Sequence, residues 1–356
     1  MADARKHANG RWRIFRLVRR ALGRVRPFGT RWMTMRGFEM KTVVWMLGAL
    51  LGMGCAGTKA GLGDARLERY TSDASGFDTH SFFYDTGAEV VVFDAQFTQG
   101  EANKVLEHIR ARTAHPIRYV VITHPNPDKF NGAAVFQRVG AKVVASQATA
   151  EAIPAVHAYK KFYWVNVAKA FTEETYPAEA TVDVTFTGSY SLPLEGGAKV
   201  ELTELKHSGV TVTQTVAYVP GSEALIVGDL VHHGAHAWLE GGVREGKVVP
   251  DVASWKAALG ELSAWPRATV HGGRGDSAPV MDAIEAQRRY LDGMVTLVEG
   301  YAAELGERKP ELCGEQASMH YGQLEQRAVA AFPELKLPYL VGYGVYGLVN
   351  RVACGG

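Results

Sequence analysis

The stretch Arg118-Tyr119-Val120-Val121-Ile122-Thr123 is a β-branched run that empties directly into His124-Pro125-Asn126-Pro127-Asp128-Lys129-Phe130-Asn131-Gly132, a turn crowded with polar and ionisable side chains. The run has strand character. At the end of a strand alternate residues point the same way, so His124 and Asn126 can face one point while Asp128 turns toward a neighbouring one. Imidazole and carboxylate at such spacing suit zinc, and also iron or manganese.

Three later segments have the same form. Leu205-Lys206-His207-Ser208-Gly209 precedes the strand-like run 212–220, Ala224-Leu225-Ile226-Val227 runs into Gly228-Asp229, and Ala268-Thr269-Val270 ends in His271-Gly272-Gly273. Taken singly, each has an ordinary reading, since a histidine after a strand is commonly a satisfied loop residue and Gly-Asp commonly a turn. Their ordered co-occurrence carries more weight. Together the four segments resemble the metal-binding motifs of the metallo-β-lactamase superfamily over roughly residues 68 to 300, with His124, Asn126, Asp128 and Lys129 standing in the HxHxDH motif.

The resemblance implies an α/β fold, an αββα sandwich of two mixed sheets with helices on the outer faces and the metal at one sheet edge. It implies a hydrolase holding one ion, zinc with iron or manganese as alternatives, by ligands drawn from His124, Asn126, Asp128, His207, Asp229 and His271. Asp128 would then orient or deprotonate a metal-bound water, and Lys129 would stabilise the developing oxyanion. His232-His233-Gly234-Ala235-His236 follows Asp229 directly, so His233 and His236 are candidates for a missing ligand, an acid or base, or a substrate contact; a solvated polar loop accounts for them as well. The substrate would be a small ester, thioester, lactone, lactam, or phosphate or sulfate ester.

Two positions depart from the motif. Asn126 offers a neutral carbonyl oxygen where the family has an imidazole. Lys129 binds no metal while protonated, and its ammonium beside Asp128 and Asp229 can take the charge role of a second ion. An alternative therefore stands beside the hydrolase: a metal-free pseudoenzyme acting as a membrane-tethered binding protein.

Composition separates the termini from this domain. The formal net charge is +2, but the first 54 residues carry 12 Lys or Arg against 2 Asp or Glu, which leaves the remainder acidic and speaks against nucleic acid as a partner. From Met40 to Cys55 a basic start, an apolar stretch and small residues before a cysteine resemble a bacterial lipoprotein signal, with Cys55 as the lipidated residue and the periplasm or cell envelope as the destination. An ordinary secretory peptide or an uncleaved anchor fits the same run. The Arg-rich residues 1–39 read as a membrane-surface arm, or as sequence upstream of a true start at Met35 or Met40. The expected organisation is 1–54 basic extension and signal, 55–67 linker, 68–305 sandwich domain and 306–356 C-terminal extension. In an exported protein Cys313 and Cys354 can pair; two unrelated buried thiols are the alternative.

Strands are expected at 81–84, 89–94, 119–123, 142–145, 182–186, 199–205, 211–219, 224–227 and 269–271, and helices at 100–112, 132–139, 148–155, 252–263 and 280–305. The segment 156–165, Val-His-Ala-Tyr-Lys-Lys-Phe-Tyr-Trp-Val, reads either as a packed helix with a wet edge or as a substrate lid.

Overall fold

Side chains alternate between two environments along the first strands, and this sorts the chain into layers. The computed structural model describes residues 66–244 and 246–355; the basic arm, the export signal and Cys55 lie outside the described residues. Strands β1 (Arg66–Thr71), β2 (His80–Asp85), β3 (Val90–Phe93), β4 (Ile117–Val121), β5 (Lys142–Ser146) and β6 (Val184–Phe186) form one sheet in that order. The first three are antiparallel and the last four parallel. Phe82, Tyr84, Val91, Phe93, Tyr119 and Val121 point to one face, and Phe83, Val90, Val92, Val120 and Ile122 to the other, as the two-residue period of a strand requires.

The second sheet has the order β14-β13-β10-β9-β8-β7. Its strands are β7 (Ser189–Ser191), β8 (Glu201–Glu204), β9 (Thr215–Val219), β10 (Ala224–Gly228), β13 (Thr269–Gly272) and β14 (Ala278–Pro279), with a separate ribbon of β11 (Gly242–Arg244) and β12 (Lys247–Val249). Leu202, Ala217, Val219, Ala224 and Ile226 meet the inner face of the first sheet in one buried cluster. The outer face of the first sheet is covered by α1 (Gln99–Arg110), the short α2 (Pro127–Phe130) and α3 (Ala133–Gln137), and α4 (Gln147–Phe162), through Ala102, Val105, Ile109, Phe130, Phe136 and Ile153. Helix α6 (Val280–Leu305) packs on β13 and β14 of the second sheet, and α5 (Val252–Glu261) packs on α6. The α/β sandwich with two mixed sheets between helices is thus the fold observed.

Local chemistry starts these helices. Thr98, Ser146 and Asp251 each accept a backbone N–H of the first turn, so α1, α4 and α5 begin where a strand or loop ends. The run 211–219 is strand only from Thr215, because Leu205 N–H binds Gln214 O and closes 206–214 into a loop. Helix α4 passes through Pro154 and continues as a π-helical turn, Tyr163–Val167, so 156–165 is helix to its end.

Beyond α6 lie α7 (Ala317–Ala331) and α8 (Tyr339–Ala353), neither expected from sequence. A disulfide between Cys313 and Cys354 closes this segment, and α8 packs on α6 and α7. No helix among the described residues is long and apolar enough to cross a membrane.

Candidate functional site

Strands β4, β10 and β13 end side by side, and their loops deliver four charged side chains to one buried point. Asp128 and Lys129 come from α2, Asp229 from the residue after β10, and Arg274 from two residues beyond β13. Lys129 Nζ lies 2.8 Å from Asp128 Oδ2 and 2.8 Å from Asp229 Oδ1. The Arg274 guanidinium donates from Nη1 to Asp229 Oδ2 at 2.8 Å and from Nη2 to Asp128 Oδ2 at 3.0 Å. Its Nε donates to Phe77 O at 2.7 Å, and Nη2 also to Thr79 Oγ1 at 2.9 Å. All four residues are buried, none more than 4% exposed.

Two anions and two cations thus alternate in a closed quartet. Burial alone would push the carboxyls up, but Arg274 and Lys129 outweigh it and hold Asp229 well below the usual carboxylate range. Asp128 is lowered too, its burial and the repulsion of Asp229 being overcome mainly by Lys129. Burial works against the Lys129 ammonium, and Asp128 and Asp229 reverse it, so its pKa rises. Each group is charged because the others are.

His124 adjoins the quartet. The Thr123 hydroxyl donates to Asp94, which also accepts Thr123 N–H at 2.9 Å, so His124 Nδ1 is the donor to Thr123 Oγ1 at 2.9 Å and Nε2 carries the lone pair. That Nε2 has no partner and lies 3.7 Å from Asp229 Oδ2. His232, which the sequence reading passed over, is fully enclosed with both ring nitrogens unpartnered, and its Nε2 is 3.8 Å from Asp229 Oδ1.

The other expected site residues stand apart. His207 is an exposed loop residue whose Nδ1 meets Glu261 at 2.8 Å. His271 meets Ser277 Oγ at 2.8 Å and packs on Phe82. The place beside Asp229 at that strand end belongs to Gly273, where an added Cβ would fall 1.9 Å from Asp229 Oδ1 and 2.9 Å from Lys129 Nζ. His236 lies in the core against Tyr290 and Phe332, and His233 is part-buried with its backbone O bonded to Asp276 N–H.

These residues do not fit a zinc, iron or manganese ion. Each carboxylate in reach already accepts from an ammonium and a guanidinium, groups that offer no lone pair to a metal. Among the described residues no three His, Cys, Asp or Glu side chains converge as a metal set. The structure places His207 and His271, two of the expected ligands, away from the quartet, and it sets Lys129 between both aspartates in the charge role read for it from sequence.

Above the quartet lies a cleft walled by rings. Phe77 is its hub, with centroids 5.2 Å from Phe97, 5.6 Å from Trp164, 5.8 Å from Trp238 and 5.6 Å from Tyr343. Trp238 and Tyr343 stack within 9° of parallel. A buried ion pair, Lys160 with Glu240, sits in the wall, and Glu240 also accepts from Trp238 Nε1 at 2.8 Å and from the Tyr346 hydroxyl. Tyr343 and Tyr346 belong to α8, which approaches so closely that a Cβ on Gly347 would lie 1.9 Å from Glu240 O. Asn126 and Asp128 form part of the same lining.

The buried titratable groups give the protein an acid-sensitive stability. Burial pushes His80 and His232 down to about 3 and His271 down to about 4. An unfolded histidine titrates near ~6.5, so below that pH the unfolded chain takes up protons the folded one refuses, and folding stability falls as pH drops toward 4. Asp94 has the opposite sign: burial pushes it up to about 6, and between about pH 4 and 6 it favours the folded state at the acid side. The three histidines outnumber it. The unfolding midpoint should therefore fall steadily from pH 7 to pH 5 in a thermal series, and a midpoint that is flat or rises would contradict the burial of these rings.

A family model described as the metallo-beta-lactamase superfamily matches residues 74–279. Among solved structures the chain is similar to a metallo-beta-lactamase from Pontibacter korlensis, at 23% identity and TM-score 0.48, over 64% of this chain and 94% of that one. It is also similar to the FIM-1 metallo-beta-lactamase from Pseudomonas aeruginosa in its mono-zinc form, at 16% identity and TM-score 0.46, over 64% and 89% of the two chains. No curated protein matches. With the family model spanning more than half the chain and the sandwich in place, the protein belongs to the metallo-beta-lactamase superfamily.

Proposed function

We propose that this chain is a metal-independent member of its superfamily, a binding protein that uses the family's cleft to hold a small molecule. Superfamily membership supplies a metallo-hydrolase scaffold. The observation that supports a different use of it is the quartet, in which Lys129 and Arg274 neutralise Asp128 and Asp229 as metal ions would. In a closed set of paired charges neither carboxylate of the quartet is free to take a proton from an attacking water. The export signal read at Met40–Cys55 would tether this binding protein at the cell envelope, with lipid on Cys55.

One observation favours the second reading, a one-ion hydrolase: His124 keeps an unpartnered Nε2 beside Asp229, with its other nitrogen fixed by Thr123 and Asp94. That reading requires both cations to leave the aspartates.

Thermal unfolding of the full chain distinguishes the two. An ion bound at a hundred times its dissociation constant adds about 2.7 kcal/mol of stability, several degrees in Tm. A metal-independent protein should show the same Tm in chelator and in excess zinc. A Tm that falls by several degrees on chelation would overturn the proposal.

A further inference from the structure

The cleft is closed in part by chain that lies outside the family match. That match ends at residue 279, yet α8 supplies Tyr343 and Tyr346 to the cleft wall. Tyr343 packs on Phe77 and Trp238, and the Tyr346 hydroxyl donates to Glu240. The clear space left inside is about 30 Å³, room for roughly two waters. Anything larger enters only if a wall moves.

The two ends of α8 are held by different means. At its start the main chain is fixed, Lys336 N–H bonding Gly234 O at 3.0 Å and His236 N–H bonding Lys336 O at 2.9 Å. Side chains reinforce this end, Tyr339 donating to Asp78 at 2.6 Å and Lys336 to Asp276 at 2.9 Å. Leu337, between them, has a φ of 58°, a left-handed conformation that residues other than glycine rarely adopt. At the far end stand the Cys313–Cys354 disulfide and Arg351, which donates to Pro250 O at 2.8 Å. Against the 238–240 backbone α8 presents Gly344 and Gly347, which have no side chains to interlock with it. Packing on α6 and α7 keeps the helix within the extension, so the separable contact is the glycine face. Both cysteines are exposed, and an exposed disulfide is the kind open to thiol attack.

We propose that α8 is a disulfide-locked cover on the cleft, and that reduction of Cys313–Cys354 by an external dithiol unlocks it. One thiolate of the dithiol attacks an exposed sulfur and expels the other cysteine as a thiolate; the second thiol of the reagent then displaces the cysteine first attacked. Two electrons and two protons pass to Cys313 and Cys354, which become thiols, and the reagent leaves as a cyclic disulfide. The end of α8 then lifts from 238–240 about the fixed segment 336–339 and draws Tyr346 and Tyr343 out of the wall. This inference rests on the binding reading of the site and makes access to the cleft depend on redox state.

Hydrogen exchange of the full chain, read by mass spectrometry with dithiothreitol as the dithiol, tests it without any ligand. A Cβ on Gly344 would lie 2.5 Å from Leu239 N and 3.2 Å from Glu240 N, so α8 covers those amides directly. Reduction should speed exchange at 238–240 and over 347–353 by about 10-fold or more, while β3 and β4 change by about 2-fold or less. Reoxidation should restore the slow rate. Cys313→Ser combined with Cys354→Ser should exchange like the reduced parent and ignore dithiothreitol. Exchange at 238–240 that does not respond to reduction would overturn the proposal. So would an equal loss of protection in β3 and β4, which is unfolding rather than opening, or a double variant as protected as the oxidised parent. The readout involves neither zinc nor ligand, so failure here is separable from failure of the binding reading, which the Tm in zinc decides.

Discussion

Lys129→Met is expected to lower the unfolding free energy by about 3–5 kcal/mol, the usual cost of removing one partner from a buried ion pair. The methionine fills the volume, so the loss is electrostatic. Asp128 and Asp229 would then share only Arg274, fully enclosed and repelling each other. The sign of the pH dependence also follows. In the parent the carboxyls are held low, so their stabilising pairing is present above the unfolded carboxyl range and lost as pH falls through their folded values. In the variant at least one carboxyl should be raised and protonated on folding, so the variant should gain stability relative to the parent as pH is lowered toward 5. Urea unfolding at pH 7.5 and pH 5 measures both effects. A loss below about 1 kcal/mol at pH 7.5, the range of an exposed pair, would mean that Lys129 is not the counter-ion of this site.

Cys354→Ser is expected to have the other large effect. The disulfide to Cys313 spans 41 residues, and the loss of that cross-link frees chain entropy in the unfolded state worth about 4 kcal/mol. The consequence reaches the cleft. Helix α8 lies within the closed segment and brings Tyr343 against Trp238 and Tyr346 against Glu240, so loosening it should alter tryptophan emission before global unfolding. The variant should melt well below the parent and show an earlier fluorescence transition. A parent-like melt with a single transition would show that α8 is held by its packing alone.

Much of the scaffold was legible because strand parity is written in β-branched runs. Val120 and Ile122 face one way and Tyr119 and Val121 the other, and the same alternation at 82–84 and 90–93 places the inner and outer faces of the first sheet. At the site, His124, Asp128, Lys129 and Asp229 were readable because they stand at the ends of those runs, and Lys129 was read as a charge substitute for an ion. His207 and His271 misled for a geometric reason: a histidine near a strand end signals a ligand only if its side chain turns toward the site. Here His271 turns to Phe82 and Ser277, and Gly273 holds the place against Asp229. Arg274 had no signature beyond a basic residue in a glycine-rich loop, since its partners come from Asp128 and Asp229, far off in sequence. The aromatic cleft showed only in part: Trp164 stands in the aromatic run 156–165, but Phe77, Trp238 and Tyr343 lie far from it in sequence and meet it only in the fold. Helix α8 escaped notice because its glycines argue against helix, yet Gly344 and Gly347 are what allow it to lie on the Leu239–Glu240 backbone.

If Lys129 and Arg274 take up the charge of Asp128 and Asp229 in place of metal, the chain should not retain zinc. Full-length protein is dialysed against excess zinc at neutral pH, freed of unbound metal by gel filtration, and analysed for metal per chain. On the order of one-tenth of an equivalent or less should remain bound, because Lys129 and Arg274 occupy the carboxylate oxygens a metal would need. Retention of about one equivalent or more, released by chelator and abolished by Asp229→Asn, would contradict it and restore the hydrolase reading.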